Sequence, residues 1–230
     1  MLGPPPLARQ ADRFRATRPL VRSLAPLPGL REGINSFTAP APESPLQTLL
    51  ISTLTVALGE IGDKTQQLAL ILAAKYRKPV PICLGILAAT LVNHALAGAF
   101  GAIVAAWLSP QTLRWIVAAS FFAIALWTLK PDKADESEAE HGTGHGVFLA
   151  TLASFFLAEM GDKTQIATAV LAAEYHPLWQ VVTGTTIGML LADVPVVLLG
   201  ARFAHRMPLR AARIGTALLF IALAAWIVLR

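Results

Sequence analysis

The sequence predicts an all-α polytopic membrane protein whose six transmembrane helices form two inverted three-helix repeats. Three observations predict it: an apolar composition, six stretches of spanning length, and a duplicated segment that carries charge at membrane depth. Of the 230 residues, 55% are hydrophobic and only 14% charged, with a mean hydropathy of +0.58. A soluble domain carries about 25% charged residues, so water is the wrong solvent for most of this chain. The net charge of +5, from 19 Lys+Arg and 14 Asp+Glu, does not mark a nucleic-acid binder. Apart from Lys64 and Lys163, the basic residues lie in an N-terminal extension or beside the ends of apolar stretches. A single cysteine, Cys83, excludes an intramolecular disulfide, and no Cys/His spacing suits zinc.

Residues 1–46 hold six arginines and nine prolines, which interrupt every apolar run before it reaches signal-peptide length. A disordered extension is expected there. Its Arg-rich, acid-poor composition also fits a transit peptide or an unused upstream translation start. From residue 47 the chain changes character. A membrane helix needs about 20 mostly apolar residues, and six candidates follow at 47–74, 80–108, 113–129, 147–173, 179–203 and 209–229. Pro79, Pro110, Pro177 and Pro208 sit at their boundaries, where a missing N–H is harmless. Trp107, Trp115, Trp127, Trp179 and Trp226 lie toward segment ends, as in an aromatic belt. The domains are then the extension (1–46), a first transmembrane repeat (47–129), an acidic linker (130–146) and a second repeat (147–229).

Orientation follows from the short loops. Lys75, Arg77, Lys78, Lys130, Lys133, Arg202, Arg206, Arg210 and Arg213 fall on one side, and only Arg31, Arg114 and Arg230 on the other. The richer side is the cytoplasmic one. Both termini then lie outside, and the acidic linker lies in the cytoplasm. The linker's Asp132, Asp135, Glu136, Glu138, Glu140, His141 and His145 are read as a solvated connection rather than a cation collector.

Residues 58–76 (LGEIGDKTQQLALILAAKY) and 157–175 (LAEMGDKTQIATAVLAAEY) agree at 11 of 19 positions without a gap, at an offset of 99. The same offset pairs Gly85 with Gly184, Gly101 with Gly200, and His94 with Asp193. Each half has an odd number of helices, so the second half enters the membrane in the opposite direction. Inverted repeats place their binding site at the repeat interface near the midplane and operate by alternating access.

The duplicated segment also holds the charge. Glu60, Asp63 and Lys64, and Glu159, Asp162 and Lys163, fall near the centres of the first and fourth spans. There each charge costs about 2.5–3.5 kcal/mol to insert, so none faces lipid. On a continuous helix Glu60, Asp63, Lys64 and Gln67 share one face, as do Glu159, Asp162 and Lys163. Two such faces enclose four carboxylates and two ammonium groups, a formal charge of −2 that one divalent cation or two protons would balance. Hard divalent cations take oxygen ligands; Thr65, Gln66, Thr164 and Gln165 add neutral ones, and Gly62 and Gly161 allow the backbone to bend. With no cysteine cluster, a copper or zinc site is not expected. Glu/Lys pairs four residues apart, acting as plain ion pairs that help helices associate, are the competing reading, but stability alone does not require the same residues in both halves.

The motifs EIGDKT (60–65) and EMGDKT (159–164), each opening a three-helix repeat around an acidic loop, resemble those of the GDT family of cation exchangers, also known as uncharacterised protein family sixteen. The resemblance covers residues 47–229. It implies a six-helix antiporter that moves Mn²⁺ or Ca²⁺ against protons, exports the metal from the cytosol, and needs no cofactor. It places the acidic ligands at Glu60, Asp63, Glu159 and Asp162, completed by Lys64, Thr65, Lys163 and Thr164. A bacterial inner membrane is the expected location, an organellar membrane the alternative.

Weaker features surround this site. His94 and Asp193, titratable and repeat-equivalent, are candidate proton relays. Pro195 frees the carbonyl of Leu191 and predicts a kink near Asp193, while Gly184 and Gly188 suit helix packing. One rival function is export of a small organic cation such as a basic amino acid, which calls for a larger aromatic-lined cavity. Another is an intramembrane aspartyl protease, which needs two aspartates sharing a proton; here each Asp shares its helix with a Glu and a Lys. Neither an enzymatic activity nor a nucleic-acid partner is expected.

Overall fold

Eight α-helices make up nearly all of what the computed structural model describes, namely residues 44–130, 146–200 and 209–229. They are α1 (Pro45–Glu60), α2 (Lys64–Tyr76), α3 (Pro79–Trp107), α4 (Pro110–Thr128), α5 (Gly146–Glu159), α6 (Lys163–Glu174), α7 (Leu178–Leu199) and α8 (Leu209–Leu229). Residues 1–43 of the expected extension, all but the ends of the acidic linker, and the last residues of the fifth predicted span lie outside the described residues, while residues 45 and 46 already belong to α1. Helix starts follow local chemistry. Ser44 and Ser109 cap α1 and α4 by accepting the N–H groups of Gln47 and Thr112, each with proline in the first turn. At the far end of α7, Gly200 takes a positive φ of 66°. The helix runs through Pro195 to Leu199 without interruption.

α3, α4, α7 and α8 are long and apolar enough to cross a membrane. The first and fourth predicted spans are not continuous helices, which corrects the sequence expectation. Each is two half-helices, α1 with α2 and α5 with α6, broken at residues 61–63 and 160–162. The cause is local. Gly62 and Gly161 adopt φ of 77° and 75°, which favours glycine, and Asp63 and Asp162 follow in extended geometry as N-caps of the next half-helix. The single charged face drawn on an unbroken helix therefore does not exist.

α1 packs along α7 and α5 along α3, with α3 and α7 against each other and α4 against α8. Glycines permit the close approaches. A Cβ on Gly184 would sit 2.8 Å from both the Leu49 carbonyl and Ser52, and one on Gly85 would sit 2.9 Å from the Phe148 carbonyl and 2.7 Å from Thr151. These contacts correspond residue for residue at the offset of 99. Gly188, against the Thr53 carbonyl, serves packing in the same way. Phe121 and Phe220, also repeat-equivalent, stack with ring centroids 5.9 Å apart in the buried α4–α8 seam. Outward faces are apolar, as at Leu96, Phe100, Trp107 and Leu229, a surface suited to lipid rather than water.

Candidate cation site

The two breaks bring the charged motifs together from both halves of the chain. Glu60 and Glu159 end α1 and α5 and are fully buried; Asp63 and Asp162, buried too, begin α2 and α6. One oxygen from each of Glu60, Glu159 and Asp162 can be chosen so that all three lie within 4.8 Å of one another. Oε1 of Glu60 and Oε1 of Glu159 are buried without a hydrogen-bond partner. Each other oxygen is held by the threonine of its own motif. Thr65 Oγ1 donates to Glu60 Oε2 at 2.5 Å, whereas the Thr164 hydroxyl is shared between Glu159 Oε2 at 3.1 Å and Asp162 Oδ2 at 3.2 Å.

The lysines pair across the repeats rather than along their own helices. Lys163 holds Asp63 in a buried ion pair, while Lys64 Nζ stands 3.9 Å from Asp162 Oδ1. Asp63 is not one of the three grouped carboxylates. Gln66 and Gln165 clasp the breaks: their amide oxygens accept the N–H of Gly62 at 3.0 Å and of Gly161 at 2.7 Å. Their amide nitrogens reach the neighbouring span, Gln66 to the Ala192 carbonyl at 3.0 Å and Gln165 to Asn93 Oδ1 at 3.5 Å. Gln67 stands half-buried on α2, outside the carboxylate group.

The candidate relays differ in placement. Asp193 is fully buried, neither carboxylate oxygen has a hydrogen-bond partner, and it lies within electrostatic reach of Glu60, Glu159 and Asp63. His94 is equally buried with both ring nitrogens unpartnered. Sequence reasoning missed Asn93, which ties α3 to the Phe156 carbonyl as well as to Gln165. It also missed a buried hydroxyl row, Ser52 and Thr55 on α1 and their repeat-equivalents Thr151 and Ser154 on α5. The available signal was small hydroxyls recurring at helical spacing inside apolar runs.

The same motif meets different surroundings in the two halves. Leu209, at the start of α8, covers the first break so closely that a Cβ on Gly62 would lie 2.7 Å from its Cδ2. Nothing lies within 4 Å of the equivalent point on Gly161, and Met160 beside it is 57% exposed. Met160 and Gln165 border an apolar cavity of about 550 Å³ between α3, α4 and α6.

Comparison with known proteins follows the same two halves of the chain. The family model described as divalent cation/proton antiporter GDT1 matches residues 48–136 and 147–230, so each matched stretch contains one motif and one break. The chain belongs to the GDT1 family. As a GDT1 member it is an integral, multi-pass membrane cation/proton antiporter. It is similar to a Vibrio cholerae protein named "Putative manganese exporter", with 52% identity over 191 residues, 82% of this chain and 94% of that protein. GDT1-like protein 5 of Arabidopsis thaliana is 28% identical over 218 residues, 76% of this chain and 92% of its own. GDT1-like protein sll0615 of Synechocystis is 28% identical over 198 residues, covering 75% and 93%. No solved structure matches the chain.

Proposed function

We propose that this GDT1 protein exports Mn²⁺ from the cytosol in exchange for protons, binding the metal on Glu60, Glu159 and Asp162. The observation that carries the reading is the convergence of three buried carboxylates from opposite repeats, with one oxygen of each glutamate unpartnered. Three carboxylates so close repel unless protons or a cation intervene. They cannot hold both at once, and that exclusion is what couples the two fluxes. An all-oxygen donor set suits a hard divalent ion such as Mn²⁺ or Ca²⁺. The similarity to the Vibrio protein favours Mn²⁺. Asp193 and His94, buried with their polar side-chain atoms unpartnered, are the candidates to pass protons to the site.

The reading includes a six-span inverted repeat, with α1–α2 and α5–α6 as discontinuous spans, and a bacterial inner membrane as the location. Supporting it are the packing contacts that recur at the repeat offset and the half-helix ends that converge on the carboxylates, an arrangement transporters use for ion sites. The extension and the acidic linker are taken to stand apart from the transport core. The test is reconstitution in liposomes with internal pH and metal both recorded. Mn²⁺ pulses should move protons in the opposite direction, with Ca²⁺ weaker. Metal flux without proton movement would overturn the exchange.

A further inference from the structure

We propose that Asp162 and Asp63 take turns as the third carboxylate of the cation site, each being withdrawn from it by the lysine of the opposite repeat. The proposal rests on the site reading above and goes beyond it by assigning the lysines a positioning role. Three observations, in different parts of the structure, show the same asymmetry. Asp162 belongs to the three-carboxylate group and its lysine stands off at 3.9 Å, whereas Asp63 is outside the group and held by Lys163. The Lys64 side chain is 20% exposed and that of Lys163 only 6%. The first break is covered by Leu209 and the second is open.

All these differences join residues related by the repeat, so exchanging the roles of the two halves defines a second state without new chemistry. In it Lys64 closes on Asp162, Lys163 releases Asp63, and Asp63 joins Glu60 and Glu159. The partner of Leu209 at the offset of 99 is Pro110, the first residue of α4. Leu113, one turn further along α4, already borders the same cavity as Met160. Closure of that cavity would bring the start of α4 over Gly161 as the start of α8 now covers Gly62. Packed interfaces of this kind are bistable rather than continuously deformable. The swap also leaves three carboxylates and one loosely held ammonium around the cation in either state. Affinity toward the two sides of the membrane is then matched in charge, and a difference in proton binding suffices to drive net export.

The test uses the full chain carrying Cys83→Ser and two cysteine pairs. Ile61→Cys with Leu209→Cys, joined by a short bis-methanethiosulfonate, reports the present state; Met160→Cys with Pro110→Cys reports the other. Lys64→Gln should raise the first cross-link and lower the second by about threefold, and Lys163→Gln should do the reverse. A merely structural lysine would move both yields the same way in both variants, and that result overturns the proposal. Mn²⁺ binding to the purified, cross-linked protein supplies the second reading. With Ile61 and Leu209 joined, Asp162→Asn should abolish binding whereas Asp63→Asn should retain it, weakened by the Lys163 ammonium left unpaired; with Met160 and Pro110 joined the pattern should invert. Equal loss for both aspartates in both locked forms overturns the swap. Glu60→Gln must abolish binding in both; if it does not, the site itself is wrong and the proposal goes with it.

Discussion

The two EφGDKT segments, where φ is Ile61 or Met160, differ in what surrounds them far more than in what they contain. Both break a helix at glycine, place an aspartate at the N-cap of the next one, clasp the break with glutamine and bind the glutamate through threonine, although only the Asp162 side chain makes the capping hydrogen bond, accepting the N–H of Thr164. One is sealed beneath α8; the other opens onto a cavity beside α4. Local conformation is therefore set by the motif, and accessibility by the helices that cover it. On the proposed reading, that separation lets each half keep its ligands while its cover changes.

The largest effects should be equal in the two halves. Glu60→Gln and Glu159→Gln each remove one charged ligand at constant shape, a loss on the order of 3 kcal/mol, or about 100-fold in metal affinity. Liposome flux should fall below detection while insertion and detergent-phase melting stay near normal. Normal flux in one variant alone would show that the halves are not equivalent as ligands.

The glycines should separate the halves. Either Gly→Ala change strains a left-handed backbone by about 1–2 kcal/mol, but Gly62→Ala also strikes Leu209 whereas Gly161→Ala meets nothing. Thermal unfolding in detergent should therefore rank Gly62→Ala as the less stable variant, with Leu209→Ala restoring much of the difference. Equal melting for the two variants would mean that the cover over the first break is absent in the membrane protein.

Smaller still is the threonine pair. Thr164 bridges two carboxylates and Thr65 binds one, so Thr164→Val should raise the apparent KM for Mn²⁺ more than Thr65→Val, each by about 1–2 kcal/mol or less. The reverse order would place the tighter carboxylate grouping in the first half instead.

Much of this was legible in the sequence. The identical motif residues at one offset named the carboxylates, and apolar stretches located α3, α4, α7 and α8 within a few residues. The breaks were missed because hydrophobic continuity on both sides outweighed a local stop and start, glycine followed by aspartate, that reads correctly as helix C-terminus and N-cap. Lysine pairing was missed for a different reason. Spacing of one residue from Asp63 to Lys64 and from Asp162 to Lys163 gives no hint of partners on another helix, since Lys163 finds Asp63 only through folding. The cover of Leu209 over Gly62 is likewise a tertiary contact between residues nearly 150 positions apart.

The glutamine clasps carry one more consequence, for speed. Gln66 and Gln165 hold the glycine N–H groups with their own amide oxygens and anchor to the adjacent span, so each loop is braced by the chain's own side chains. On the proposed reading, a site braced in this way loses little conformational entropy when a cation loads, so the movement of packed helices, on the microsecond-to-millisecond scale, is the expected limit on turnover.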